Sequence, residues 1–344
     1  MKKIVVIGDI ILDRYVYGDV TRTSPEAAIP ILEESTIENR LGGAANVAKC
    51  IKYMGEDTVD VRLMGVVGLD DESQTVELLC FRSGINPYIL HKVEGHCTTL
   101  KTRFMNKGKQ LLRVDRENFF PYDVITKGNV DVVLDEMSVV VISDYDKGSL
   151  NSNTIELVIE YCNNNSIPII VDPKFDNFWN YKNATVFKPN RKELTEALCY
   201  KFGHRIIQHN DIDADIFSMV QEANTKLDCE NYVVTDGARG MSLINNGSET
   251  QFDAEEKNVI DVTGAGDMVT ATISYCMAMG HSVEQSVHYA NKAAGLSVTQ
   301  SGCGRVKYGE IFEPAKLGLG SVSYTHLRAH ETLRYLVWRL LLEK

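Results

Sequence analysis

Three features of the chain predict an α/β fold: a mostly parallel, Rossmann-like sheet flanked by helices, with a small separate β sheet. From residue 130 onward, short β-branched runs alternate with helical periods, as in βαβ units. Near the N-terminus, Ile4 to Ile7 is an unbroken apolar run, the mark of a central strand covered on both faces. Polar residues gather in the turns that follow strands, the edge where open α/β sheets hold ligands.

Composition narrows the partners. The chain has 344 residues, 44% hydrophobic and 24% charged, enough for one large core or two. A formal net charge of −11 argues against nucleic acid or an anionic membrane as the main partner. The eight cysteines are dispersed with no C-x-x-C, which reads as reduced thiols in a cytoplasmic protein. The N-terminus enters a strand at once, so no signal peptide is expected, and no apolar run reaches the ~18 residues of a membrane span.

Taken in order, the first strand ends in Gly8-Asp9-Ile10-Ile11-Leu12-Asp13. Asp9 and Asp13 lie just past a buried strand, where each carboxylate can accept sugar hydroxyl protons or stand solvated in a loop. Tyr15 to Gly18 and Ile29 to Leu32 read as β segments broken by Thr23-Ser24-Pro25. Thr98 to Phe104 and Gln110 to Asp115 read as another pair, joined by a hairpin at Asn106-Lys107-Gly108-Lys109. Residues of about 12–40 and 95–116 are therefore assigned to a β lid, which could also be a dimer surface. Between them, Gly42 and Gly43 open a helix from Ala44 to Met54. Glycines there permit close backbone approach to a ligand or tight packing, and Asn46 offers a donor and an acceptor in the first turn. Arg62 to Gly68 is a further strand.

The later strands are Ser138–Ser143, Pro168–Asp172, Ala184–Lys188, Tyr232–Thr235 and Met241–Ile244, with helices near Thr154–Asn163, Lys192–Tyr200 and Asp213–Leu227. The turns Ser143 to Gly148, Asp172-Pro173-Lys174, Asn190 to Glu193 and Thr235-Asp236-Gly237 each follow a strand. Asn190 and Glu193, three apart at a helix start, can face one spot, where Glu193 could hold Mg²⁺ through water; ordinary N-capping is the alternative. Thr235 and Gly237 could meet nucleotide phosphate or ribose. Ser282 to Gln285 is a capping box, and Asn291 lies on the small face of the helix it opens.

Val259 to Asp267 reads as a short strand, a Gly264-Ala265-Gly266 turn and an acid opening a helix. Glycines and a helix N-terminus together make an anion site. A carboxylate beside such a site is repulsive unless it accepts a proton from an attacking hydroxyl; the alternative is that Asp267 only caps the helix Met268 to Met279. Periodicity fades after Ile311. Residues 313–344 read as a linker and a foreign-looking tail from Tyr324 onward, set apart from the fold at 1–312.

Gly42-Gly43-Ala44-Ala45-Asn46 and Asp261 to Asp267, in that order, resemble the two signatures of the ribokinase-like (PfkB) carbohydrate kinases, and the likeness runs to about residue 312. The resemblance implies ATP-dependent phosphorylation of a sugar hydroxyl, with Mg²⁺ and a lid that often forms a homodimer. It implies Asp267 as the base and Gly264, Ala265 and Gly266 as the anion hole. Asn190 and Glu193 would belong to the Mg²⁺–phosphate motif, and Thr235, Gly237, Gly240 and Asn291 would lie along the nucleotide. Gly8 to Tyr15, Ser24 to Ala27, Ser143 to Tyr145 with Lys147-Gly148, and Asp172 to Lys174 resemble the members that act on a heptose 7-phosphate. That likeness implies transfer to the anomeric hydroxyl. A phosphorylated sugar needs local cations, which Lys101, Arg103 and Arg113 in the lid segments and Lys174 after a core strand could supply. A kinase for another sugar or a nucleoside, or a non-catalytic sensor, are the alternatives; a sensor has no need of Asp267. Met268 stands where the family usually has a small residue, and Ala28 replaces a lid proline.

Overall fold

The computed structural model describes residues 1–119, 122–203, 215–255, 258–300 and 302–312. Its strands are β1 (Lys2–Gly8), β2 (Ile10–Thr23), β3 (Pro30–Gly43), β4 (Val59–Gly68), β5 (Asn86–Val93), β6 (Thr99–Asn106), β7 (Lys109–Arg116), β8 (Val139–Ser143), β9 (Ile169–Asp172), β10 (Val186–Phe187), β11 (Asn231–Thr235), β12 (Met241–Asn245) and β13 (Ser248–Phe252). The helices are α1 (Ala44–Gly55), α2 (Asp71–Arg82), α3 (Val130–Leu134), α4 (Ser152–Asn164), α5 (Arg191–Phe202), α6 (Ile216–Leu227), α7 (Ala265–Ala278), α8 (Val283–Ser297) and α9 (Tyr308–Ile311).

The main sheet has the order β13-β12-β11-β10-β9-β8-β1-β4-β5. It is parallel from β11 to β5, with β12 and β13 antiparallel at one edge. Ile4 to Ile7 are all 0% exposed, so the run has no polar alternation. Val5 and Ile7 face a core shared with α4, α5 and α6, while α1 and α7 pack on the sheet's other side. The chain leaves β1 toward β4 on one side and returns at β8 on the other. The ends of β1 and β8 therefore flank a switch point, and the Asp9 amide donates to the Ser143 carbonyl there at 3.2 Å. The first turn of α7 opens onto this crevice.

The second sheet has the order β3-β2-β6-β7 and rises from the ends of β1 and α1. The expected hairpin joins β6 to β7, with Lys107 at φ 48° and Gly108 at φ 80°, the paired left-handed residues of a tight turn matched to strand twist.

Several expectations need correction. Ile10 to Asp13 is not a loop but the start of β2, paired to Arg40 through Gly43 on one side and, from Ile11 on, to β6 on the other. Val259 to Asp261 is not a strand. The amides of Ile260 and Asp261 donate to the Val298 carbonyl at the end of α8, and the Asp261 carboxylate accepts from Thr263 and Gly302, so no strand neighbour is engaged. The strands β5 and β13 were not expected; β5 carries Pro87 and β13 is polar and exposed, both features that edge strands tolerate. Met268 is 1% exposed and packs in the core rather than crowding the crevice. Residues 313–344, expected as linker and tail, and the predicted helix start at Asp213 lie outside the described residues.

Candidate active site

Asp267 sits in the first turn of α7, 8% exposed. Its Oδ2 accepts from Asn46 Nδ2 at 2.7 Å and its Oδ1 accepts from the Tyr145 hydroxyl at 2.5 Å. Burial pushes its carboxyl up to about 6, against the two hydrogen bonds, which favour the charged form. A carboxylate so placed is ionised at neutral pH yet basic enough to take a hydroxyl proton. Each oxygen keeps a lone pair beyond its bond. Asn46, 1% exposed, lines the same crevice, and its buried Oδ1 has no hydrogen-bond partner among the described residues. A buried acceptor left open in this way can take a hydroxyl donor or a water.

The turn before Asp267 is built for close approach. Gly264 caps α7 at φ 76°, and a Cβ there would lie 3.0 Å from Cys303 Sγ and 3.2 Å from Asn46 Nδ2. The Ala265 amide donates to Val262 O at 3.2 Å, so Ala265 shapes the turn rather than offering a donor. The amides of Gly264, Gly266 and Asp267 have no partner among the described residues and sit at the positive end of the helix. Lys188, 3% exposed, reaches the same place: its Nζ would lie 3.9 Å from a Cβ on Gly266, and it pairs with Asp172 at 3.0 Å. Asp172 is held in turn by the Thr270 hydroxyl from α7 at 2.9 Å. Free amides and a buried ammonium together can stabilise charge on a transferred phosphoryl group.

These groups line a cavity of about 290 Å³ that also takes in Asp13, Gly42, Lys101, Arg103, Lys174 and Glu193. Arg103 donates to Asp13 Oδ1 at 2.5 Å, and a Cβ on Gly42 would fall 2.3 Å from the other Asp13 oxygen. Gly43 adopts φ 57°, and a Cβ there would strike the Asp9 carbonyl at 2.4 Å. Lys101 and Lys174 lie over the Tyr145 ring, at 5.9 and 5.7 Å from its centre.

Other expected residues are engaged within the fold or stand outside the cavity, although Asn190, Glu193 and Thr235 line it. Asp9 is fully buried, and its carboxylate accepts from the amides of Tyr145, Lys147 and Ser149 at 2.7, 3.1 and 2.9 Å. It therefore fixes the loop that carries Tyr145 and has no face to offer a sugar. The register sets Arg113 opposite Arg103, but Arg113 is half-exposed, outside the cavity, and pairs with Asp115 at 2.9 Å. Asn190 and Glu193 form a reciprocal capping box, and Glu193 also pairs with Lys174. Each Glu193 oxygen thus accepts one bond already. That suits a contact to Mg²⁺ through water and not direct ligation. Thr235 lines the cavity; Gly237, Gly240 and Asn291 do not. A Cβ on Gly240 would sit 2.0 Å from the Phe252 carbonyl, so its φ of 85° serves the approach of β13. Asn291 Nδ2 donates to the Asp253 carbonyl at 2.7 Å.

Tyr145, Asp172 and Lys188 received no individual role from the sequence. The available signal was position: each stands at or just after the end of a parallel strand, and a lysine closing an apolar run needs a buried partner.

Comparison with known proteins agrees with this geometry. Among solved structures, a ribokinase from Arabidopsis thaliana complexed with ribose and ATP superposes with a TM-score of 0.68 at 20% identity, covering 90% of this chain and 97% of that one. The phosphofructokinase-2 of Escherichia coli gives 0.70 at 18%, covering 90% and 96%. The fold is thus ribokinase-like. In sequence, the chain is 35% identical to a D-beta-D-heptose 7-phosphate kinase of Bordetella bronchiseptica, over 90% of this chain and 95% of that protein. It is 37% identical to a bifunctional protein HldE of Coxiella burnetii over 90% of this chain, spanning 62% of that protein's length. Residues 1–307 match the pfkB family carbohydrate kinase. With the paired glycine turns, the buried acid at the start of α7 and this match along nearly all of the described residues, the chain belongs to the pfkB family of carbohydrate kinases, phosphotransferases that act on a sugar hydroxyl.

Proposed function

We propose that the chain transfers the γ-phosphoryl group of ATP to the anomeric hydroxyl of D-glycero-D-manno-heptose 7-phosphate. The observation that carries this reading is one cavity that holds both a basic carboxylate, Asp267, and the cations Lys101, Arg103 and Lys174. Arg103 and Lys174 already pair with Asp13 and Glu193, and a phosphate on the far end of the sugar gives Lys101 and the spare donors of the other two an anion to bind. The name of the Bordetella relative points the same way.

In this reading the sugar lies against Asn46 and Asp13. Asp267 takes the proton of the attacking hydroxyl on a free carboxylate lone pair while the oxygen attacks the γ-phosphorus and the bond from that phosphorus to the β,γ-bridging oxygen breaks, so that ADP leaves with the bonding pair. The amides of Gly264 and Gly266 and the Lys188 ammonium hold the charge on the group in flight. ATP runs past Thr235 toward Gly237 and Asn291. Glu193 is the residue that would hold Mg²⁺, which would supply charge neutralisation at the phosphates when bound. The sheet of β2, β3, β6 and β7 closes as a lid and brings Arg113 toward the sugar phosphate. Its exposed Ile29, Ile37, Leu111, Leu112 and Val114 are the apolar surface for a homodimer. The protein acts in the cytoplasm, where ATP is supplied.

The test is ATP turnover with a panel of heptose 7-phosphate, the dephosphorylated heptose, ribose and fructose. The reading expects kcat/KM for the 7-phosphate to exceed the others by about a hundredfold, the scale of two charged hydrogen bonds. Equal turnover of a free sugar contradicts it.

A further inference from the structure

A second and larger cavity, about 710 Å³, lies between β3, α1, the end of α2 and the residues Gln300, Cys303 and Arg305. Its charge is opposite to that of the molecule. In a chain of net charge −11, this wall carries Arg40, Lys49, Lys52, Arg82 and Arg305 against Glu38, Glu56 and Asp57. Two of the three acids are already engaged: Glu38 with Arg40 at 2.7 Å and Glu56 with Lys307 at 2.6 Å. Four of the cations are not matched. Lys49, Arg82 and Arg305 have no carboxylate partner among the described residues, and Lys52 donates only to the neutral carbonyls of Glu56 and Val59.

Lys49 is the most telling. It is half-buried, its side chain makes no hydrogen bond among the described residues, its charge acts on Glu38 without pairing with it, and the cations Arg305 and Arg40 repel it. Burial and those two neighbours hold its ammonium below the usual lysine range. A lysine that faces other cations across an open cavity is stabilised by an anion between them. Arg305 has an aromatic partner, the Tyr53 ring at 5.8 Å, which leaves its guanidinium edge free for such an anion.

We propose that this cavity is a second binding site, separate from the sugar cavity, that takes a small phosphorylated molecule with its phosphate between Lys49 and Arg305. A phosphate offers acceptors to both residues, and the volume leaves room for the organic part, either a nucleoside or a sugar. The site shares a wall with the chemistry. Cys303 lines both cavities, a side chain on Gly302 would collide with the Arg40 guanidinium, and the Gly302 amide donates to Asp261, which fixes the turn ahead of Gly264. A ligand that draws Arg305 inward thus bears on the segment that holds the anion-binding turn.

The test is calorimetric titration of the full chain with sodium pyrophosphate, followed by displacement with ADP and separately with ribose 5-phosphate. The wild-type protein should show two classes of site. Lys49→Met/Arg305→Gln should lose one class, weakened about a hundredfold by the loss of two charged hydrogen bonds, and keep the other. Displacement from the lost class by ADP identifies a nucleotide site, and displacement by ribose 5-phosphate a sugar-phosphate site. Displacement by neither means an adventitious ion only and overturns the proposal. So does a single class of site in the wild-type protein, or two classes that survive the double substitution. Should the double variant fail to fold, Lys49→Gln alone, read by the same titration, serves in its place.

Discussion

Replacing Tyr145 by Phe removes one hydroxyl and leaves the ring under Lys101 and Lys174. That hydroxyl donates to Asp267 at 2.5 Å and is one of two bonds that keep a buried carboxylate charged. A hydrogen bond to a charged group contributes roughly 1.5–3 kcal/mol, and 1.36 kcal/mol corresponds to about one pKa unit. Asp267, already pushed up to about 6, should therefore rise by a further one to two units, to roughly 7–8. The base is active as the carboxylate, so the acid limb of kcat/KM against pH should move up by the same amount. Near pH 6.5 the variant should be slower by about tenfold, and near pH 9 it should come within about twofold of wild type. The assay is ATP turnover between pH 5.5 and 9.5, with the melting temperature checked at each end. A Tyr145→Phe profile that falls equally at all pH values, with the limb unmoved, refutes the argument that Tyr145 acts through the ionisation of Asp267.

Three further outcomes follow from the same geometry. Arg103→Ala should raise KM for the sugar phosphate about tenfold or more and leave KM for ATP within about twofold, since it removes a phosphate donor and the partner of Asp13; an unchanged sugar KM sets Arg103 outside the binding site. Gly264→Ala places a side chain at φ 76° and against Asn46, so melting should fall by several degrees and kcat by at least about tenfold; a wild-type kcat shows that the turn has room to spare. Asp267→Asn bears on stability. The folded protein holds this carboxyl at about 6 against an ordinary 3.8, so Asp267 binds its proton more tightly when folded. Its stabilising effect is full below about pH 4 and lost as pH rises through 6, a cost of about 3 kcal/mol at neutral pH. Denaturant melts should show the Asp267→Asn variant more stable than wild type at pH 8, with the gap closing toward pH 4; a gap independent of pH contradicts the buried-carboxylate account.

The parts of this site readable in the sequence are those that depend on the backbone. Gly42 and Gly43 at the end of β3 and Gly264 ahead of α7 stand where φ or close contacts exclude a side chain, and such positions keep a fixed spacing along the chain. The parts not readable depend on where a side chain points after folding. Asp9 and Asp13 looked alike, four residues apart beside one strand, yet Asp9 turns inward to three amides while Asp13 faces the cavity. Asn190 and Glu193 fit both a cap and a ligand reading, and the fold realises the cap. Tyr145 meets Asp267 from 122 residues away, a contact made only when β8 comes to lie beneath α7. The lost strand at Val259 to Asp261 has a similar cause. Its β-branched residues suit a strand, but the neighbour available there is the end of α8.

The central claim is that Asp267 takes the proton in the transfer of phosphate to a sugar. Single-turnover measurement with Asp267→Asn, ATP and heptose 7-phosphate at saturating concentrations tests it most directly. The substitution keeps size and one acceptor oxygen, turns the other oxygen into a donor amide, and removes the basic carboxylate. The account predicts a fall in the rate of phosphoryl transfer of at least ~10²-fold, with ATP affinity held within about threefold, the scale of losing a general base alone. A rate within about threefold of wild type in the purified variant would contradict it.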